Sequence, residues 1–206
     1  LRGSGVCTFR FQPSKKPREC DELRVLFASR LIREKGIDEL ITAMERVVEQ
    51  FPNAKLWIAG APYAQNPTSL TPEDVLRLEQ RPWVRTFGHV DDVERLMAQV
   101  DIVALPSYRE GTPRILLEAA SCGLPIVATD IAGHHGLVEE GVNGYLVPVH
   151  DSEELAERIG RLCADEGLRL QMGERGRRII VDGFSSEIKI GMNLEIYEKQ
   201  LGVELT

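Results

Sequence analysis

The sequence contains no run of apolar residues approaching the roughly 20 needed to span a bilayer, and no basic segment leading into an apolar one as in a secretory signal. Its four cysteines, Cys7, Cys20, Cys122 and Cys163, lie far apart without C-x-x-C spacing. That pattern fits reduced thiols in a cytosolic protein better than a disulfide framework or a zinc site. Positive charge is also scarce: 25 Lys and Arg stand against 32 Asp and Glu, a formal net charge of −7. Nucleic acid and anionic membrane would both be repelled by the average field, so no nucleic-acid partner is expected and any phosphate binding must be local. No G-x-G-x-x-G follows the first apolar run, which disfavours a dehydrogenase. The chain shows no internal repeat. These absences point to a cytoplasmic site of action.

What is present is the material for one domain: 206 residues, 43% of them hydrophobic, room for a sizeable core but not for a second large domain. Residues 1–22 (LRGSGVCTFRFQPSKKPRECDE) mix Gly, Pro, Ser and charges without periodicity and read as a linker; residues 23–206 read as the domain. Leu1 is not an initiator methionine, which suggests processing or a longer parent chain. From Leu23 onward, short branched runs (RVLFAS, KLWIAG, VRTFG, DIVALP, PIVATD, GYLVPV) alternate with amphipathic ones such as IDELITAMERVVEQF and TPEDVLRLEQ. The alternation predicts an α/β fold, an open parallel sheet of six strands with helices on both faces. The last sixty or so residues carry only helical spacing and predict a helical tail.

In such a sheet, ligands bind at the carboxyl ends of the strands, so the residues that follow each strand are the first candidates. After the first strand comes SRLIREKG, where Arg30 and Lys35 could face a diphosphate beside a helix amino terminus. A solvated, charge-rich loop explains that stretch equally well. After the fourth strand comes SYREGTPRILLEAASCGLP, with Glu110 at the lip, Gly111 open to a ligand, and a helix expected to begin at Pro113. Free donors would then belong to Thr112, Arg114 and Ile115. Glu118 lies inside that helix among apolar neighbours. It is either the i, i+4 partner of Arg114 or a carboxylate that accepts hydrogen bonds from ribose hydroxyls.

The succession SRL…EKG, strand-IAG, TFGHV, ALPSYREGTPRILLEAASCGLPIVATD and AGHHGLVEEGVNGYLVP, over about residues 21–200, resembles the nucleotide-binding half of retaining glycosyltransferases of the group 1 family, which have two Rossmann-like domains (GT-B). The most specific part is the E-x7-E pair, Glu110 and Glu118. The resemblance implies a Rossmann-like domain that binds a nucleoside diphosphate sugar. In it Arg30 and Lys35 would contact the diphosphate and stabilise the departing nucleotide, and Glu110 would contact the sugar. Gly111, Thr112, Pro113, Arg114 and Ile115 would hold sugar and phosphate, Glu118 the ribose. Gly60 and Gly88, His89 and Val90 would line the nucleotide and base pocket. It also implies a missing amino-terminal domain that binds the acceptor, no cofactor, and enzymes of surface polysaccharide or glycolipid synthesis whose acceptor could lie at the inner membrane face. The final helix, with Ile188, Met192, Ile196, Tyr197 and Leu201, would pack partly on the missing domain.

The chain departs from that pattern in places. Gly60-Ala61-Pro62 and a longer segment through Leu70 replace the frequent G-x-G, Cys7 stands where an Asp is common, and Gly136 stands where many members have Glu. Adjacent His134 and His135 should face different sides and fit solvation or substrate proximity better than a metal site. No D-x-D motif is present, consistent with a metal-independent donor site. Two other readings stand beside the transferase: a non-catalytic nucleotide-sugar-binding module, and a sugar-nucleotide epimerase or phosphorylase-type enzyme.

Overall fold

The computed structural model describes residues 5–14 and 21–201, apart from the side chains of Glu198 and Leu201. Six strands form one parallel sheet: β1 (Leu23–Ala28), β2 (Ala54–Ala59), β3 (Val84–Thr86), β4 (Ile102–Leu105), β5 (Ile126–Thr129) and β6 (Gly144–Val147). Their order is β3-β2-β1-β4-β5-β6. Every pairing is parallel, with Leu23 opposite Ala54 on one side of β1 and Val25 opposite Ile102 on the other. Strands β4 and β5 are buried along their whole length, which is why they read as continuous apolar runs without alternation.

The helices are α1 (Ile37–Gln50), α2 (Pro72–Glu79), α3 (Val93–Met97), α4 (Arg114–Ser121), α5 (Ser152–Ala164), α6 (Glu166–Gly183) and α7 (Ser186–Leu201). Helix α1 buries Ile37, Leu40, Ile41, Met44 and Val47, an i, i+3, i+4 stripe, and packs against α5. Helix α4 packs against α6. The chain winds outward from β1 in one direction and from β4 in the other, so right-handed crossovers place α1 and α4 on opposite faces. The chain ends at β1 and β4 therefore part, leaving a crevice between them.

Gly36 makes this crossing possible. It adopts φ +74, and a Cβ there would stand 2.0 Å from the carbonyl oxygen of Pro106, so the loop after β1 passes directly over the end of β4.

The segment expected to be a linker is, in its described part, attached to the domain. Val6 and Phe11 are buried in the core, and Val6 exchanges backbone hydrogen bonds with Phe184 and Ser186 at 3.0 and 2.9 Å. Buried Ser121 donates to the carbonyl of Phe11 at 2.6 Å, and Arg177 donates to the same carbonyl at 3.1 Å and to that of Ser121. Residues 1–4, 15–20 (with Cys20) and 202–206 lie outside the described residues. Cys122 and Cys163 are buried free thiols, and burial pushes both up to about 12, so they are chemically quiet. On α7, Ile190, Met192, Leu194, Ile196 and Tyr197 are exposed, while Ile188 is half-buried.

Helices α4 and α6 meet through glycine: a Cβ on Gly173 would lie 1.9 Å from the carbonyl oxygen of Gly123. Gly173→Ala gains about 1 kcal/mol of helix propensity but forces the helices apart. A net loss of about 1–2 kcal/mol is expected in urea unfolding; an unchanged or higher midpoint would show that α6 can slide without cost.

Candidate functional site

The crevice is a hollow of about 780 Å³ at the carboxyl ends of β1, β2 and β4. Its lining includes Arg30, Gly60, His89, Val90, Glu110, Thr112, Pro113, Arg114, Ile115 and Glu118, all anticipated from the sequence. Three anticipated residues do not line it. Gly88 is one position away and accepts a hydrogen bond through its carbonyl from the N–H of Gly60 at 2.6 Å. Gly111 sits at the turn beside Glu110, and its carbonyl packs against Gly133. Lys35 reaches the site through Glu110: its ammonium donates to the carboxylate at 2.5 Å, and the two side chains are only 12% and 13% exposed.

The two loops that bring these charges together are bonded to each other. Tyr108 N–H donates to the carbonyl of Glu34 at 2.9 Å, and the Ser107 hydroxyl donates to the same carbonyl at 3.2 Å. The Tyr108 hydroxyl donates to Glu39 at 2.7 Å. Burial, and then that bond to a carboxylate, pushes the phenol well above its usual value, so it stays a donor. Thr129, at the end of β5, donates to the carbonyl of Ser107, tying the third loop in.

Helix α4 begins one residue later than the sequence suggested. Pro113 is the cap, with φ −71 and ψ 117, and the first helical residue is Arg114. Proline cannot offer a side-chain cap, and none is made. The N–H groups of Leu116 and Leu117 turn back to the Pro113 carbonyl, which leaves those of Arg114 and Ile115 without a partner within the helix, at a start whose residues line the hollow. An uncapped helix start next to an open cavity attracts an anion.

Glu118 is 8% exposed among buried Leu116, Leu117, Ala119 and Ala120. Its ion pair with Arg114 exists, at 3.7 Å, but that arginine is 76% exposed and so contributes little. Among the described residues no hydrogen-bond donor reaches the Glu118 carboxylate. Burial raises its pKa, opposed by Arg114 and Arg10 and reinforced by Glu94. An under-paired carboxylate at the wall of a hollow accommodates a ligand's hydroxyl donors.

The adjacent histidines face different sides, as their spacing suggested. His135 is exposed and pairs with Asp130 at 2.6 Å. His134 is fully buried and donates through Nδ1 to the carbonyl of Thr129 at 2.7 Å; desolvation lowers its pKa and keeps the ring neutral.

Sequence reasoning missed Tyr63, which lines the hollow beside Arg30 with the guanidinium carbon 5.1 Å from its ring centroid. The available signal was its position: an aromatic residue three places beyond the Gly60 strand end.

Because the Glu118 pKa is raised in the folded protein, the folded state holds that proton more tightly than the unfolded one. Stability from this group is greatest in acid and falls as pH rises through the carboxylate range. Glu118→Gln should lose that decline, and its stability relative to wild type should rise between about pH 4 and about pH 7 in urea unfolding. Parallel profiles for the two proteins would contradict the burial argument.

The family described as "Glycosyl transferases group 1" matches residues 8–179. The chain is 32% identical over 168 residues to the capsular polysaccharide biosynthesis glycosyltransferase CapM of Staphylococcus aureus, covering 82% of this chain and 44% of that protein. Among solved structures, the sucrose-phosphate synthase of Thermosynechococcus elongatus superposes with a TM-score of 0.85 at 27% identity, over 98% of this chain and 52% of that one. HepE of Anabaena in complex with UDP-glucose superposes with a TM-score of 0.78 at 26% identity, over 97% and 56%. The chain spans about half the length of the curated relatives it matches. With the sheet order, the paired acids and a family match covering most of its length, the chain belongs to the group 1 glycosyltransferases.

Proposed function

We propose that this chain is the donor-binding half of a retaining, metal-independent glycosyltransferase that moves a sugar from a nucleoside diphosphate sugar to an acceptor. The observation that carries the reading is the convergence of Arg30, the Lys35–Glu110 pair, Glu118 and the uncapped start of α4 on one hollow at the β1/β4 parting. The spacing suits one ligand: the diphosphate against Arg30 and the Arg114 and Ile115 N–H groups, the sugar near Glu110, the ribose at Glu118.

Loss of the nucleoside diphosphate builds negative charge on the leaving phosphate while the sugar becomes cation-like. Preplaced positive groups lower the barrier because they interact more strongly with that developing charge than with the ground state. In this reading Arg30 meets that charge directly, and Lys35, which reaches the site only through Glu110, adds to it from behind that carboxylate. Glu110 holds the ammonium and can turn one carboxylate oxygen to the sugar.

The acceptor side would come from a domain preceding this one, and the exposed apolar residues of α7 are suited to pack on it. The chain alone would then bind donor without turnover. Relatives named for capsular polysaccharide and lipopolysaccharide core biosynthesis favour a surface polysaccharide or glycolipid product. Such an acceptor could be reached from the membrane's inner face by a peripheral enzyme. Among the described residues no helix is long and apolar enough to cross a membrane.

Calorimetric titration of the chain with UDP, GDP and ADP should reveal binding of one of them. Arg30→Ala should weaken it about ten- to hundredfold, the scale of a lost charge-assisted contact. Binding of none of the three, or unchanged binding by Arg30→Ala, would refute the reading.

A further inference from the structure

We propose that Tyr63 is a positioning residue for Arg30, its ring holding the guanidinium in place for the distal phosphate of a nucleoside diphosphate. The inference rests on the donor-site reading above and adds to it a residue that the sequence motifs do not single out.

The side chain of Arg30 lies 5.1 Å from the Tyr63 ring centroid, within cation–π range. Among the described residues no carboxylate or carbonyl holds this guanidinium, so the ring is its restraint. A long cation gains affinity when its rotamers are restricted before the ligand arrives. A ring does this without neutralising the charge, whereas a carboxylate partner would compete with the phosphate. Lys35 illustrates the other arrangement, since its ammonium is already committed to Glu110.

The ring is itself held. Tyr63 is 38% exposed, its N–H donates to the Ser69 hydroxyl at 2.8 Å, and its own hydroxyl donates to Gln65 at 2.8 Å. The loop that carries it is stitched to the loop that carries Arg30. Leu31 N–H donates to the carbonyl of Ala61 at 3.0 Å, Leu70 N–H to that of Leu31 at 2.9 Å, and Arg33 N–H to that of Thr68 at 3.0 Å. The Thr68 hydroxyl bonds the Glu34 carboxylate. Cation and ring thus ride on one unit, and the longer segment after Gly60 supplies half of it.

The test uses the same chain, titrated with UDP, GDP and ADP and with the monophosphate of whichever binds. Tyr63→Leu should weaken the diphosphate about two- to fivefold, and the monophosphate less. Tyr63→Phe, which keeps the ring and loses only its bond to Gln65, should recover most of the affinity, and Tyr63→Leu should have no further effect in an Arg30→Ala background. A loss that is equal for both nucleotides, or that persists without Arg30, would overturn the inference, because Tyr63 would then touch the nucleotide itself or only shape the loop. Unchanged diphosphate binding by Tyr63→Leu would overturn this inference alone. Failure of the wild type to bind any of the three would overturn the donor-site reading, and this inference with it.

Discussion

The parallel pairing of β1 with β4 is the constraint on which the rest of the structure depends. These two central strands send their chains to opposite faces, so among the described residues no helix covers the gap at their carboxyl ends. Backbone groups of the loops there must find partners, and they find them in one another: Glu34 with Tyr108 and Ser107, Ser107 with Thr129. Gly36 allows the close crossing over Pro106. The result is a single platform on which groups far apart in the chain come to hydrogen-bond distance.

On that platform the four charged groups are held in different ways, and each way follows from its surroundings. Lys35 and Glu110 neutralise each other in a partly buried contact. Arg30 rests on an aromatic ring, which does not neutralise it. Glu118 is buried with one distant, solvated partner, an arrangement that costs stability in the empty protein. A ligand bringing phosphate oxygens to Arg30 and hydroxyl donors to Glu118 would supply both with partners.

Strands β4 and β5 were legible because two-sided burial demands unbroken branched runs, and the six runs read from the sequence correspond to the six strands, although the edge strand β3 exposes Arg85. Of the tail helices α5 was the plainest, because its buried Leu155, Ala156, Ile159, Leu162 and Cys163 recur at helical spacing. The attachment of residues 5–14 was not legible, because Val6 and Phe11 are secured by Phe184, Ser186, Ser121 and Arg177, partners more than a hundred positions away. Local periodicity carries no trace of such contacts. The one-residue shift at Pro113 has a simpler origin, since proline's dihedral suits both the cap and the first helical position.

The site divides along the same line. By itself the sequence determined the residue types at the strand ends, the spacing of Glu110 and Glu118, and the glycines and proline that open the helix start, because these depend on near neighbours and on strand-then-loop order. Only the tertiary structure decided that Lys35 bonds Glu110 rather than facing the hollow, that Arg114 leaves Glu118 under-paired, and that Tyr63 lies under Arg30. Each of those outcomes turns on side-chain direction and on the distance between loops from different strands, and both are set when the sheet assembles.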